Sequence, residues 1–138
     1  MTDFTLDPKF AADTAPVCDL DLCAVRLMND ARFPWLVLVP RKPNLVEITD
    51  LAAPNRTQLM DEIARTANAL RVVAPCDKLN IGALGNIVRQ LHIHVVARVE
   101  GDAAWPGPVW GSGAAKPYDE GWMRGMVEAL KEKLQSSS

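Results

Sequence analysis

A chain of 138 residues, 49% hydrophobic and 23% charged, has the size and composition of one globular domain, long enough to bury a core without disulfides or a structural metal. The formal net charge of -2 supplies no positive field for nucleic acid, which argues against that partner while leaving room for a local pocket that holds one phosphate. The opening MTDFTLDPKF lacks the basic and apolar regions of a secretory signal, and the longest apolar run, residues 35–39, is too short to span a bilayer, so the expectation is a cytoplasmic protein with no membrane partner.

Residues 1–17 carry Phe4, Leu6 and Phe10 among polar residues and Pro8, the pattern of a short helix or turn lying over a core. Cys18, Cys23 and Cys76 are an odd set without Cys-x-x-Cys spacing and read as reduced, buried or half-buried thiols. Residues 20–27 read as a strand, Asn29-Asp30 as a turn, and residues 35–39 as a second strand that Pro40 and Pro43 stop. Pro54 opens a helix over about residues 54–73, with Leu59, Ile63, Ala67 and Leu70 at helical spacing and Met60 beside them. Asp61, Glu62, Arg65 and Arg71 fall mostly off that stripe and predict its solvated face. Residues 79–83 and 91–99 read as strands separated by a turn at Gly85-Asn86. A Trp/Pro/Gly-rich loop follows over residues 101–117. Met123, Met126, Val127, Leu130 and Leu134 then mark a C-terminal helix over about 118–135, and the Ser136–Ser138 tail should fray. Strands, helix, strands, helix predict an antiparallel α+β domain.

The chain's two histidines, His92 and His94, sit two residues apart. On a strand Gln90, His92 and His94 would share one face, while Leu91, Ile93 and Val95 fill the other. Such a row is either a solvated face or a site. A His-x-His pair completed by Gln or a carboxylate is also one way to hold zinc, but no third strong ligand is evident.

The stretch Gln90-Leu91-His92-Ile93-His94-Val95-Val96 resembles the motif of the histidine-triad (HIT) family, His-apolar-His-apolar-His followed by two apolar residues. Leu79-Asn80-Ile81-Gly82 with Gly85-Asn86 is similar to that family's Asn strand and Gly-rich turn. Trp105-Pro106-Gly107-Pro108 is similar to its Trp-Pro segment, and residues 36–42 resemble the strand that ends in Pro and basic residues. The likeness covers about residues 20–108 in order and spacing.

The resemblance implies a HIT-like fold over residues 1–138, with an antiparallel sheet of about five strands, one main helix and a C-terminal helix. It implies a hydrolase or transferase acting on a nucleoside-phosphate ester or phosphoramidate, with a small-molecule nucleotide as partner, no cofactor, no metal, and a homodimer whose sheets join. Carried over by position, His92 is the nucleophile that takes the nucleotidyl group, oriented by the backbone carbonyl of Gln90. His94 is the donor to a phosphate oxygen or, as general acid, to the departing group. Asn80, Gly85, Asn86 and Trp105 are the substrate-binding positions. Gln90 replaces the first histidine of the triad, Ile87 stands where a Ser is common, and Trp35 stands where many members place a further histidine. A nucleotide-binding or sensing protein on the same fold is the alternative these departures raise.

Overall fold

The computed structural model describes residues 3–136. Strands β1 (Thr14–Asp19), β2 (Cys23–Met28), β3 (Trp35–Pro40), β4 (Lys78–Gly82) and β5 (Ile93–Arg98) form one antiparallel sheet in the order β1-β2-β3-β5-β4. Three helices accompany it: α1 (Pro8–Asp13), α2 (Ala53–Val73) and α3 (Glu120–Ser136). The α+β class and the five-stranded sheet follow the sequence reading. Ser136, read as tail, closes α3, while Ser137 and Ser138 lie outside the described residues.

One sheet face carries the main core. Leu59, Ile63, Ala67 and Leu70 of α2 and Leu130 and Leu134 of α3 bury against Val25, Leu27, Leu36, Leu38, Ile93 and Val95. Met60, on the far side of α2, stays exposed. Each such aliphatic side chain contributes about 1.5–3 kcal/mol through burial, and this stripe is what docks both helices. The opposite face holds a second cluster of Phe10, Phe33, Trp35, Val37, Val39, Val96 and Val109, covered by α1 and the 101–117 loop rather than by long helices. Every residue of β3 and β5 is therefore buried, which accounts for the continuous apolar run at 35–39.

Three local readings need correction. Strand β1 stands where the sequence reads the end of a short helix or turn over residues 1–17; as an edge strand paired only with β2, with an irregularity between Pro16 and Cys18, it tolerates the missing amide of Pro16. Strand β2 begins at Cys23, not Leu20, because the Leu20 amide bonds the Cys23 carbonyl at 2.8 Å and closes a turn. Glu62 is not on a solvated face but fully buried. Its carboxylate oxygens accept from the amides of Leu22 and Cys23, each at 2.8 Å, and from Gln58 Nε2 at 2.7 Å. These three donors compensate the burial of the charge. The same carboxylate, after burial itself, helps push the Cys23 thiol pKa upward.

Candidate active site

His92 immediately precedes β5 and His94 lies within it, both turned to the face of the second cluster. Across the sheet His94 pairs with Val37 on one side and Gly82 on the other. The two imidazoles stand edge to face with centroids 4.8 Å apart, and each is only 6% exposed. Leu91, Ile93 and Val95 fill the opposite face, as alternation predicts.

Gln90 departs from the expected row. The strand begins three residues later, and the amide side chain turns to the N-terminal segment. Its Oε1 accepts from the Asp7 amide at 2.9 Å and its Nε2 donates to the Thr5 carbonyl at 2.8 Å. Its backbone carbonyl does face the site, 2.7 Å from His92 Nδ1.

These contacts assign the protons. A carbonyl only accepts, so His92 carries its proton on Nδ1 and keeps the lone pair on Nε2. An indole N–H only donates, and Trp35 Nε1 lies 3.0 Å from His94 Nδ1, so His94 carries its proton on Nε2. Burial lowers the His92 pKa, against the opposing pull of the Gln90 carbonyl and of Asp7. Burial, with His92 alongside, lowers that of His94 to about 3. Both rings are neutral at pH 7, one presenting a nucleophilic nitrogen and the other an N–H.

A cleft of about 430 Å³ opens onto both rings. Phe10 of α1 packs against His92 at 4.6 Å between centroids, and Trp110 against His94 at 5.4 Å. Gly82, opposite His94, lies beside Trp110; a Cβ there would stand 3.5 Å from the indole Cη2, an ordinary contact. Gly85, Asn86, Ile87 and Val88 form another wall, with Gly85 at φ 79°, a conformation that favours glycine. Asp30 and Arg32 add a charged pair: Arg32 Nε and Nη2 reach the two carboxylate oxygens at 3.0 and 2.8 Å. Burial opposes ionisation of Asp30, but bonds from Arg32 and the Lys116 amide outweigh it and hold the pKa low. Lys9 and Asp13 lie at the cleft from α1 and pair at 3.0 Å.

Of the residues expected to bind substrate, Gly85 and Asn86 line this cleft, whereas Asn80 and Trp105 do not. Asn80 Oδ1 accepts from Arg98 Nη1 at 2.8 Å, and Arg98, bound to Asp102 through Nε and Nη2, lies 5.6 Å from the Trp105 ring. A buried guanidinium needs these partners, and they hold both side chains away from the histidines. The tryptophan at the site is Trp110, from the same loop. The sequence reading also missed Phe10, Trp35 as a partner of His94, and the Asp30/Arg32 pair. The Asp-x-Arg spacing beside a turn was the available signal for the last. Among the described residues, no group of three or more His, Cys, Asp or Glu side chains could hold a metal ion. Nor is any described helix long and apolar enough to cross a membrane.

Three solved structures are similar over nearly their whole length. A histidine triad protein from Bradyrhizobium japonicum is 46% identical with TM-score 0.94, covering 96% of this chain and 99% of its own. One from Sinorhizobium meliloti 1021 is 47% identical with TM-score 0.92, covering 94% and 96%. A third, from Marinobacter aquaeolei VT8, is 38% identical with TM-score 0.95, covering 99% and 100%. Among curated proteins, none matches. The HIT domain model matches residues 9–101, and with that match the chain belongs to the HIT domain family.

Proposed function

We propose that the protein is a nucleotide-binding hydrolase or transferase that cleaves a nucleoside-phosphate ester or phosphoramidate through a nucleotidyl intermediate on His92. The observation that carries this reading is the His92 Nδ1 to Gln90 carbonyl contact of 2.7 Å, which leaves Nε2 unprotonated on a ring that lines the cleft. A neutral imidazole in this state attacks phosphorus, and the bond retained on Nδ1 stabilises the imidazolium that forms. On this reading the His94 Nε2–H, and backbone amides of the Gly85-Asn86 turn that lines the cleft, donate to phosphate oxygens as charge develops. Water then cleaves the phosphorus–nitrogen bond and regenerates the ring.

The cleft volume and its aromatic walls, Trp35 and Trp110, suit a nucleoside group. The unpaired edge of β4, where Ile81 is 48% exposed, supports a homodimer with joined sheets. Sedimentation at micromolar concentration tests that assembly. For the activity, a panel of nucleoside phosphoramidates, aryl esters and dinucleoside polyphosphates, run beside His92→Ala, tests the reading. Turnover that the variant abolishes supports it; a panel with no turnover leaves the binding-protein reading.

A further inference from the structure

The hydrogen bond from Trp35 Nε1 to His94 Nδ1 has a chemical consequence for the leaving group. To become an imidazolium, His94 would need a second proton on Nδ1, 3.0 Å from an indole N–H that cannot turn acceptor. Protonation therefore breaks this contact and leaves the indole N–H buried without a partner, a penalty that adds to the cost of placing charge beside His92. The remaining neutral His94 offers Nε2–H as a hydrogen-bond donor but is a very weak acid.

The rest of the lining offers little replacement. None of the side chains lining the cleft that both histidines share carries a hydroxyl or a thiol; Glu47 and Thr49 line a separate pocket of about 160 Å³ that His92 reaches and His94 does not. Asp30 is buried, ionised and held by Arg32. Lys9 lies at the cleft from α1 but is more than half exposed and bound to Asp13. The proton on His92 Nδ1 is committed to the Gln90 carbonyl, on the side of the ring away from the attacking nitrogen.

We propose that Trp35 is a specificity-determining residue: by locking His94 as a neutral donor, it restricts this site to nucleoside-phosphate derivatives whose leaving group departs as a stable anion, and it disfavours phosphoramidates. The inference rests on the function proposed above. In the first step the His92 Nε2 lone pair forms the bond to phosphorus while the phosphorus–oxygen bond breaks. Its electron pair leaves with a phosphate, carboxylate or phenolate oxygen that needs no proton. An amine must instead receive a proton as the phosphorus–nitrogen bond breaks, and the site holds no positioned acid to give it. In the second step water adds to phosphorus, His92 Nε2 departs with its electron pair, and one proton passes to solvent.

The test uses the full chain with a matched series on one nucleoside: a p-nitrophenyl ester, a dinucleoside polyphosphate and a phosphoramidate. The expected result is that kcat/KM for the two oxygen leaving groups exceeds that for the amine by at least about a hundredfold, the low end of what a positioned general acid contributes. Nitrogen-15 NMR of labelled histidine should show His94 protonated on Nε2 alone. Trp35→Phe keeps the aromatic packing and removes the N–H; it should narrow the ratio by about tenfold or more. Equal rates for amine and oxygen leaving groups in the wild type would overturn the inference and leave the proposed function standing, whether or not the variant folds. An unchanged ratio in a folded Trp35→Phe would overturn the role of Trp35. No turnover of any member would overturn the function itself, and this inference with it.

Discussion

His92 and His94, with ring centroids 4.8 Å apart, carry opposite tautomers, the first set by the carbonyl of Gln90 and the second by the indole of Trp35. Burial outweighs the upward pull of the Gln90 carbonyl and of Asp7 at His92, and at His94 it is joined by His92, so both are lowered from the ordinary histidine value. The unfolded chain takes up a proton on each near pH 6.5, whereas folded His94 resists until about 3. In that window the unfolded state binds more protons, so stability falls as pH falls from about 6.5 toward 3, by about 1.4 kcal/mol per pH unit for one histidine. Urea unfolding between about pH 7 and pH 5 should show this slope in the wild type and a shallower one in His94→Gln. Identical slopes would show that His94 is not held neutral.

Gln90 separates two roles that a first-position histidine would combine. The backbone carbonyl orients His92, while the side chain ties down the N-terminal segment through Thr5 and Asp7. Gln90→His should leave kcat within about tenfold, or 1.4 kcal/mol, because the carbonyl remains. Gln90→Ala should lose a comparable or slightly greater amount, and should also speed hydrogen exchange at the Asp7 amide. A thousandfold gain in Gln90→His would instead identify the missing imidazole as the limiting defect and favour a binding role for the natural protein.

Alternation and helical spacing made much of the fold legible. Leu91, Ile93 and Val95 and the stripe from Leu59 to Leu70 bury where their periods place them. The His-x-His pair located the site for the same reason: local spacing decides which side chains share a face. What escaped depends on contacts distant in sequence. Trp35 meets His94 across 59 positions, and Gln90 meets Thr5 across 85. No periodicity carries such pairings. Glu62 shows the limit most directly, since a carboxylate off the apolar stripe reads as solvated until the amides of Leu22 and Cys23, at the start of β2, close over it.

Glu62→Ala would strand both buried amides and the Gln58 side chain. The expected loss of stability is about 3–5 kcal/mol, with Glu62→Gln intermediate because one oxygen can still accept. Chemical denaturation measures both. A loss below about 1 kcal/mol for the alanine variant would mean that water replaces the carboxylate.

Trp105 and Trp110 offer a contrast within one loop. Trp110 lines the cleft beside His94, so Trp110→Ala should weaken nucleotide binding by about tenfold or more, in the range of one lost aromatic contact. Trp105 lies against Arg98 away from the cleft; Trp105→Ala should lower the melting temperature while changing nucleotide affinity by less than about twofold. Titration calorimetry with a nonhydrolysable nucleotide distinguishes them, and the reverse ranking would place the binding surface elsewhere.

The central claim is that His92 Nε2 becomes bonded to phosphorus. Reaction with the most rapidly cleaved nucleotide of the panel, quenched within one turnover under alkaline denaturing conditions, followed by peptide mass spectrometry, tests it most directly. The account predicts a nucleotidyl mass on the peptide that contains His92, formed and lost at rates that support kcat. It also predicts no adduct in His92→Ala, with turnover lowered by several orders of magnitude. Sustained turnover by that variant, or an adduct on any other residue, would contradict it.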